Sequence, residues 1–208
     1  MTKKERALKA VEGLKNLYPD AKCSLIYEKP YELLIATRLS AQCTDARVNM
    51  VTPSLFKRFD SLEALANADV KDIEEEIKTC GLFRTKARDI KLLSKMLIDD
   101  FNGELPRTLE GLLKLPGVGR KTANLIMGDI FLKPAVVTDT HCIRICKRLG
   151  LTVNKEPFKV EMDLIKILPP EESNDFCHRL VLFGREYCIA RSPKCEICPL
   201  KEICKEKA

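Results

Sequence analysis

The sequence of 208 residues contains no run of 18 apolar residues, which argues against a membrane-spanning helix. Its first residues lead into a mixed polar and apolar pattern without the apolar core of a secretory signal, so we expect a cytoplasmic protein. No internal repeat and no low-complexity linker interrupts the chain. Runs of alternating polar and apolar residues bounded by hairpin turns are also missing, so we predict no β-strands.

The patterning that is present is helical. Between a candidate N-cap at Asp69 and a stop at Gly81, apolar residues recur at every third or fourth position. The same spacing precedes Gly103 and Pro169, and the apolar run at 135–137 is too short to be more than a connector. We therefore predict an all-α protein of about ten helices.

A domain boundary is predicted at Lys133-Pro134. The residue before a proline is biased away from the helical conformation, and a basic segment begins here. This boundary gives a central helical domain at residues 22–134. The flanking segments, residues 1–21 and 135–208, are then expected to pack together as a second domain.

Positive charge is concentrated in one stretch of the chain. The net charge of +6 is matched by residues 114–155, where eight basic residues stand against two acids. Such an excess suits the neutralisation of nucleic-acid phosphates, although a solvated polar surface would have the same composition. The ten charged residues are Lys114, Arg120, Lys121, Asp129, Lys133, Asp139, Arg144, Lys147, Arg148 and Lys155.

The string LPGVGRK at residues 115–121 separates a short helix predicted from Thr108 from a longer helix. Gly117 and Gly119 permit positive φ and a close approach to another backbone. The following helix then begins with free N–H groups that point outward, which is a site for a phosphate oxygen. We interpret the string as a helix-hairpin-helix that holds a DNA backbone without reading its sequence; the alternative is an ordinary tight turn between helices. The predicted DNA contacts here are Gly117, Val118, Gly119 and Arg120.

Ten cysteines in a chain without an export signal do not indicate a disulfide framework. Six of them are scattered and are most simply small buried apolar residues. The other four, in the spacing C-x6-C-x2-C-x5-C, are Cys188, Cys195, Cys198 and Cys204. Four thiolates in one turn-rich loop favour a [4Fe–4S] cluster over zinc, because structural zinc sites usually take two separated ligand pairs.

Two basic residues, Arg191 and Lys194, lie between the first two predicted ligands. The cluster can hold both side chains toward a phosphate backbone, and we predict that they contact DNA.

Lys121 and Asp139 are the predicted catalytic pair. Cleavage of an N-glycosidic bond by an amine requires a lysine that is partly neutral and close to a carboxylate. A lysine in the first turn of a helix faces the positive end of the helix dipole, which disfavours its protonated form. The alternatives are a phosphate contact for Lys121 and a plain N-cap for Asp139.

Taken together, three motifs resemble the endonuclease III family of DNA glycosylases with AP lyase activity. They are LPGVGRKTAN at 115–124, VTDTH at 137–141 and the four-cysteine tail. Their order and spacing agree with the family along nearly all of the chain, including LSAQ at 39–42 and the Gly81-Leu82 pair.

The resemblance implies two helical domains, a six-helix domain that carries the hairpin and a cluster domain, with DNA bound in the cleft between them. It implies that Lys121 attacks the sugar C1′ of a flipped, damaged pyrimidine and that Asp139 activates the amine or balances the charge on the sugar. A Schiff base and β-elimination would follow. Gln42 and Leu82 match positions that enter the duplex where the base has left; alternatively, they are a helix-terminal polar residue and a contact after a glycine C-cap.

Two rival functions share the hairpin and the cluster. The mispair-specific adenine glycosylases lack a lysine at position 121, have a glutamate where this chain has Thr37, and continue with a further domain beyond the cluster. The second rival is a DNA-binding or redox-sensing protein without catalysis, which the Lys121 and Asp139 pair disfavours. We expect a monomeric, nucleoid-associated enzyme that acts on double-stranded DNA carrying damaged pyrimidines or abasic sites.

Overall fold

A computed structural model describes residues 1–206 as a helical chain. This range contains eleven α-helices, two short 3₁₀ helices and no strand, so the predicted all-α class is confirmed. No helix in the range is long and apolar enough to cross a membrane. The α-helices are α1 (Lys3–Leu17), α2 (Pro30–Leu39), α3 (Asp45–Arg58), α4 (Leu62–Asn67), α5 (Val70–Ile77), α6 (Phe83–Phe101), α7 (Leu109–Leu113), α8 (Arg120–Asp129), α9 (Thr140–Leu149), α10 (Pro157–Ile165) and α11 (Ser173–Glu186), and the 3₁₀ helices are Pro170–Glu172 and Lys201–Ile203.

The chain divides into two compact units, which are described separately. The first unit joins Met1–Cys23 to the part of the chain from Leu132 onward, and the second is Ser24–Phe131. In the second unit, α6 is the longest helix and packs against α4 and α5. Leu65 of α4, Ile73 of α5 and Leu97 of α6 are fully buried and belong to its core.

The first unit is built from the two ends of the chain. Helix α1 packs against α11, and Leu14 of α1 and Phe176 of α11 are completely buried. Gly13 faces the cysteine-rich tail, since a Cβ added there would lie 2.7 Å from Leu200 Cδ2. The segment 135–137 is a connector without regular secondary structure, as predicted.

The predicted start of α5 agrees with the structure, but its predicted end does not. The Asp69 carboxylate caps α5 by accepting the Lys71 N–H at 2.9 Å, as predicted. The helix ends at Ile77, however, and not at Gly81. The Cys80 N–H donates to the Ile77 carbonyl at 2.8 Å in a turn that leads to the next helix.

The scattered cysteines do not all behave as buried apolar residues. Four of them, Cys80, Cys142, Cys146 and Cys177, are buried as predicted. Cys23 and Cys43 are only half-buried, so that prediction is wrong for these two.

Candidate functional site

In the second unit, the predicted hairpin is a tight turn between two helices. The Thr108 side chain caps α7 by accepting the Gly111 N–H at 3.1 Å. Leu115 and Val118 are buried where α7 and α8 pack together. The turn itself is formed at Gly117, where φ is +72° and any side chain would be strained.

Gly119 differs from the expectation. Its φ is −94° and ψ is 174°, an extended conformation that any residue adopts, so the predicted need for positive φ is wrong here. Gly119 is the N-cap of α8, and a Cβ added to it would meet nothing within 4 Å. The residue therefore leaves open space in front of the first N–H groups of α8, with Arg120 and Lys121 as the first two residues of that helix.

An ion pair that the sequence analysis missed lies against the hairpin. Arg38 of α2 donates from Nε and Nη2 to Asp89 Oδ2 of α6, at 2.8 and 2.6 Å. A Cβ added to Gly117 would lie 2.5 Å from Arg38 Nε and 2.7 Å from Asp89 Oδ2. The pair therefore packs directly against the turn, and a side chain at position 117 would have to displace it. Arg38 is the single charged residue in the run 33–39, and this is the sequence feature that could have indicated the ion pair.

Lys121 is exposed in the first turn of α8. Helix N-termini carry unpaired N–H groups and a partial positive charge, which attract phosphate and disfavour a second cation. The amine therefore reaches solvent from a helix end that suits an anionic backbone.

Gln42 and Leu82 both adopt the left-handed conformation, with φ of 54° and 59°. This region is strained for a leucine in particular, and such strain persists only where the surroundings impose it. Leu82 is 56% exposed and is itself the N-cap residue of α6, so it does not make the buried contact that follows a glycine C-cap. Gln42 is also exposed, after the end of α2.

In the first unit, Asp139 is the N-cap of α9. Its Oδ1 accepts the Cys142 N–H at 2.7 Å, and the side chain is half-buried. The capping hydrogen bond involves only Oδ1, and it fixes the orientation of the whole carboxylate. A capping role and a catalytic role are therefore compatible.

The four tail cysteines line one cavity of about 220 Å³ in the first unit. Ile145, Leu149 and Phe183 contribute apolar walls, and none of the four thiols is in a disulfide. Four free thiols around an apolar space are a donor set that fits a [4Fe–4S] cluster, which supplies iron–thiolate bonds that tie the loop together. Burial raises the pKa of the Cys198 and Cys204 thiols, so positive charge is needed to hold them deprotonated.

Two arginines of α9 hold the start of this loop. Arg148 donates from Nη1 to Cys188 Sγ at 3.4 Å and to the Ile189 carbonyl at 3.0 Å, and from Nη2 to the Ala190 carbonyl at 3.0 Å. Arg144 donates from Nη2 to the Cys188 carbonyl at 3.0 Å. Both belong to the basic stretch for which phosphate binding was predicted, so part of that positive charge instead holds the cysteine loop. Arg144 and Arg148 are four residues apart and therefore lie on the same face of one amphipathic helix, and this spacing could have indicated their shared role.

Arg191 and Lys194 lie in the same loop and are exposed. The Lys194 N–H donates to the Tyr187 carbonyl at 2.9 Å, which fixes the backbone while the side chain reaches solvent.

Thr37 is the position at which the adenine glycosylases have a glutamate. In this chain it is buried, and its hydroxyl donates to the Leu33 carbonyl within α2 at 2.8 Å.

Comparison with known proteins assigns both parts of the chain. Residues 35–170 match the model of the HhH-GPD superfamily of base excision DNA repair proteins, and residues 188–204 match the iron–sulfur binding domain of endonuclease III. The chain is 46% identical to endonuclease III of Synechocystis sp., over 98% of this chain and 93% of that protein. It is 44% identical to endonuclease III of Bacillus subtilis, over 94% and 90%.

The chain belongs to the endonuclease III family. A solved structure of a trapped covalent endonuclease III–DNA intermediate superimposes with a TM-score of 0.93 at 44% identity, covering 99% of this chain and 97% of that one. Members of the endonuclease III family are base-excision repair enzymes, and this chain is a DNA glycosylase with AP lyase activity. The matched tail spans the four predicted ligands, and the predicted [4Fe–4S] cofactor is confirmed.

Proposed function

We propose that Lys121 is the nucleophile of this enzyme and that its substrates are oxidised pyrimidines and abasic sites in duplex DNA. The observation that carries the proposal is the position of Lys121, exposed in the first turn of the helix that begins at the hairpin. An amine at that place lies beside the N–H groups that would hold the phosphate backbone, and so close to the sugar of the damaged nucleotide.

The reaction proceeds through covalent bonds to the amine. Lys121 Nζ attacks C1′ of the flipped nucleotide, and the glycosidic bond breaks with release of the base. The C1′–O4′ bond of the sugar then breaks, O4′ takes a proton, and a Schiff base forms between C1′ and Nζ. The Schiff base withdraws electrons from C2′, which loses a proton, the C3′–O bond breaks with departure of the 3′ phosphate, and the strand is cleaved 3′ to the lesion by β-elimination. Asp139 either takes the proton that the amine loses or balances positive charge on the sugar.

The remaining candidate residues would hold and open the duplex. Gly117, Val118 and Gly119 bring their backbone to a phosphate through the hairpin. Gln42 and Leu82 enter the space from which the base has left, and their exposure on strained backbone supports this role. The basic side chains that would reach the phosphate backbone are Arg120, Arg191 and Lys194.

The proposal also covers the domain organisation, the oligomeric state and the cellular location of the enzyme. Residues 22–134 would form the DNA-holding domain, and residues 1–21 with 135–208 the cluster domain. The enzyme would act as a monomer in the cytoplasm, associated with the nucleoid through DNA. In the trapped complex described above, the related endonuclease III is covalently joined to DNA, which supports a covalent route for this chain.

Borohydride trapping tests the nucleophile. The wild-type protein should become covalently locked to DNA that contains an abasic site. Lys121→Ala should fold and bind DNA without forming an adduct, whereas the matched control Lys114→Ala, also exposed and three residues before the hairpin turn at Gly117, should trap normally. Undiminished trapping by Lys121→Ala, mapped by mass spectrometry to another lysine, would overturn the assignment.

The variant Asp139→Asn tests whether Asp139 takes part in catalysis or acts only as the N-cap of α9. Asparagine is as good an N-cap as aspartate, so the variant should unfold at the same temperature as the wild type. Base removal should slow, because an amide neither takes a proton nor balances charge. Cleavage at a preformed abasic site should suffer less, since its aldehyde is already electrophilic. Full glycosylase activity would leave Asp139 as a cap only.

A further inference from the structure

Two loops of the second unit meet next to the residues proposed to enter the duplex. A Cβ added to Gly81 would lie 3.1 Å from the carbonyl oxygen of Gln42, so the two backbones are in contact. Cys43 follows Gln42 and Cys80 precedes Gly81, so the contact between the two backbones brings the two cysteines to the same place. The two thiols are close enough for Cys43 to raise the pKa of Cys80. Neither is in a disulfide.

The two thiols differ in access. Cys80 is 1% exposed, whereas Cys43 is half-buried and can be reached by a small molecule. Burial, together with the neighbouring Cys43, raises the pKa of Cys80 to about 11, so Cys80 is protonated at neutral pH. Of the two sulfurs, only Cys43 is placed to react first.

Positive charge surrounds the pair. Lys86 is fully buried, donates from Nζ to the Leu39 carbonyl at 2.7 Å, and acts electrostatically on both sulfurs. Arg47 adds a second cation near Cys80. Partly exposed cysteines in electropositive surroundings are the reactive ones in proteins, because the thiolate is the nucleophile.

We propose that Cys43 and Cys80 form a reversible redox site, at which a small hydroperoxide such as hydrogen peroxide joins the two loops by a disulfide. The Cys43 thiolate attacks one peroxide oxygen, the O–O bond breaks, and the hydroxide that leaves is protonated to water. The Cys80 sulfur then attacks the Cys43 sulfenic acid, the S–O bond breaks, and a second water leaves. Two thiols lose two electrons and two protons, and one peroxide is reduced to two waters.

The expected consequence for DNA rests on the function proposed for Gln42 and Leu82. A disulfide bond is about 2.05 Å long, far shorter than any contact between two unbonded sulfur atoms, so closing it pulls the two loops together. The Gly81 backbone already touches Gln42, so we expect the contraction to displace the neighbouring residues at 42 and 82. A displacement of about 1 Å near a reacting centre can cost about a hundredfold in rate. Oxidation should therefore lower lesion processing.

Peptide mapping tests the disulfide itself. The cluster-loaded enzyme is treated with hydrogen peroxide at a dose that leaves its iron–sulfur absorbance unchanged, free thiols are alkylated, and the protein is digested with trypsin. Cys43 lies in the tryptic peptide 39–47 and Cys80 in the peptide 79–84. We expect these two peptides to be joined, and the link to disappear after treatment with dithiothreitol. Oxidation of Cys43 to sulfinic acid without the link would overturn the proposal.

Activity assays test its consequence. Oxidised wild type should remove the damaged base several-fold more slowly and recover with dithiothreitol. Cys43→Ser and Cys80→Ala should be insensitive to the same treatment, and Cys23→Ser, which alters the other half-buried scattered cysteine, should respond like wild type. A disulfide that forms without changing activity would overturn the switch. The activity of the reduced enzyme tests the proposed function separately, so the two failures are distinguishable.

Discussion

The hairpin at 115–121 and the cysteine loop at 188–204 are both short turns that follow a helix, yet they are held in different ways. The hairpin is closed by protein alone: two buried apolar side chains, a glycine at φ +72° and the Arg38–Asp89 pair behind it. The loop has few apolar anchors, and its first residues are held by arginine donors around a cavity lined with thiols. Side-chain packing therefore holds the first turn, and we expect the second to depend on its cofactor as well.

The largest effect should follow from removing one cluster ligand. Cys198→Ala leaves three thiolates for a cluster that takes four, so the purified protein should lose the broad absorbance at about 400 nm. The loop should become sensitive to trypsin at the exposed Arg191 and Lys194, while the hairpin region stays resistant. Normal absorbance in the variant would contradict the assigned ligand set.

The next effect should come from Gly117, the glycine against which the ion pair packs. Gly117→Val introduces both a strained φ and a clash with Arg38, and we expect a loss of about 3 kcal/mol in the free energy of unfolding. Gly119→Val is the matched control, since its φ is ordinary and its space is open, with a cost of about 1 kcal/mol at most. Denaturant titrations of both variants measure the difference.

Gly119→Val should nevertheless weaken binding to damaged and undamaged DNA alike, because the added side chain stands in front of the first N–H groups of α8. The loss of one phosphate contact should reduce the slope of log affinity against log salt by about 1. A variant that binds undamaged duplex normally but loses its preference for lesions would contradict the proposed role of the hairpin.

A smaller effect is expected from the arginine that anchors the loop. Arg148→Met removes three donated hydrogen bonds and the cation beside Cys188, while it keeps much of the side-chain volume. The cluster should still form under anaerobic conditions but bleach several-fold faster in air, as measured by absorbance. The control Lys147→Met changes the neighbouring charge on α9, which is exposed, and should bleach at the wild-type rate.

The smallest effect concerns pH and lies away from the loop. Lys15 and Arg179 hold the pKa of Glu172 below its ordinary value of 4.5. A lowered pKa contributes stability above that ordinary value, and the contribution is lost as the pH falls through the folded-state pKa. Glu172→Gln should therefore lower the melting temperature at neutral pH, and the gap to wild type should narrow in acid. A gap that is constant down to about pH 3 would contradict the ionic contribution.

The features that could be predicted from the sequence are those that short-range patterns determine. The helical class follows from apolar spacing, the Asp69 cap from one residue type at a helix start, and the cluster loop from the spacing of Cys188, Cys195, Cys198 and Cys204. Each of these depends on residues close together in the chain.

What could not be predicted depends on packing between distant residues. Arg38 and Asp89 are 51 positions apart, and only the folded second unit brings them behind Gly117. Cys43 and Cys80 are likewise brought together only by the folded second unit, although the sequence predicts each of them to be a small buried apolar residue. The left-handed φ of Leu82 could not be predicted either, because leucine by itself disfavours this region.

The first unit also has a consequence for synthesis of the chain. Helix α1 emerges first from the ribosome, but α11 and Leu200, against which it packs, are made last. Residues 24–131 can form their own core while translation continues, because domains generally fold as units during synthesis. The apolar side of α1 must stay exposed until nearly the whole chain has been translated. A nascent chain arrested shortly before Ser173, where α11 begins, should therefore already protect α6 from protease while α1 is still cleaved.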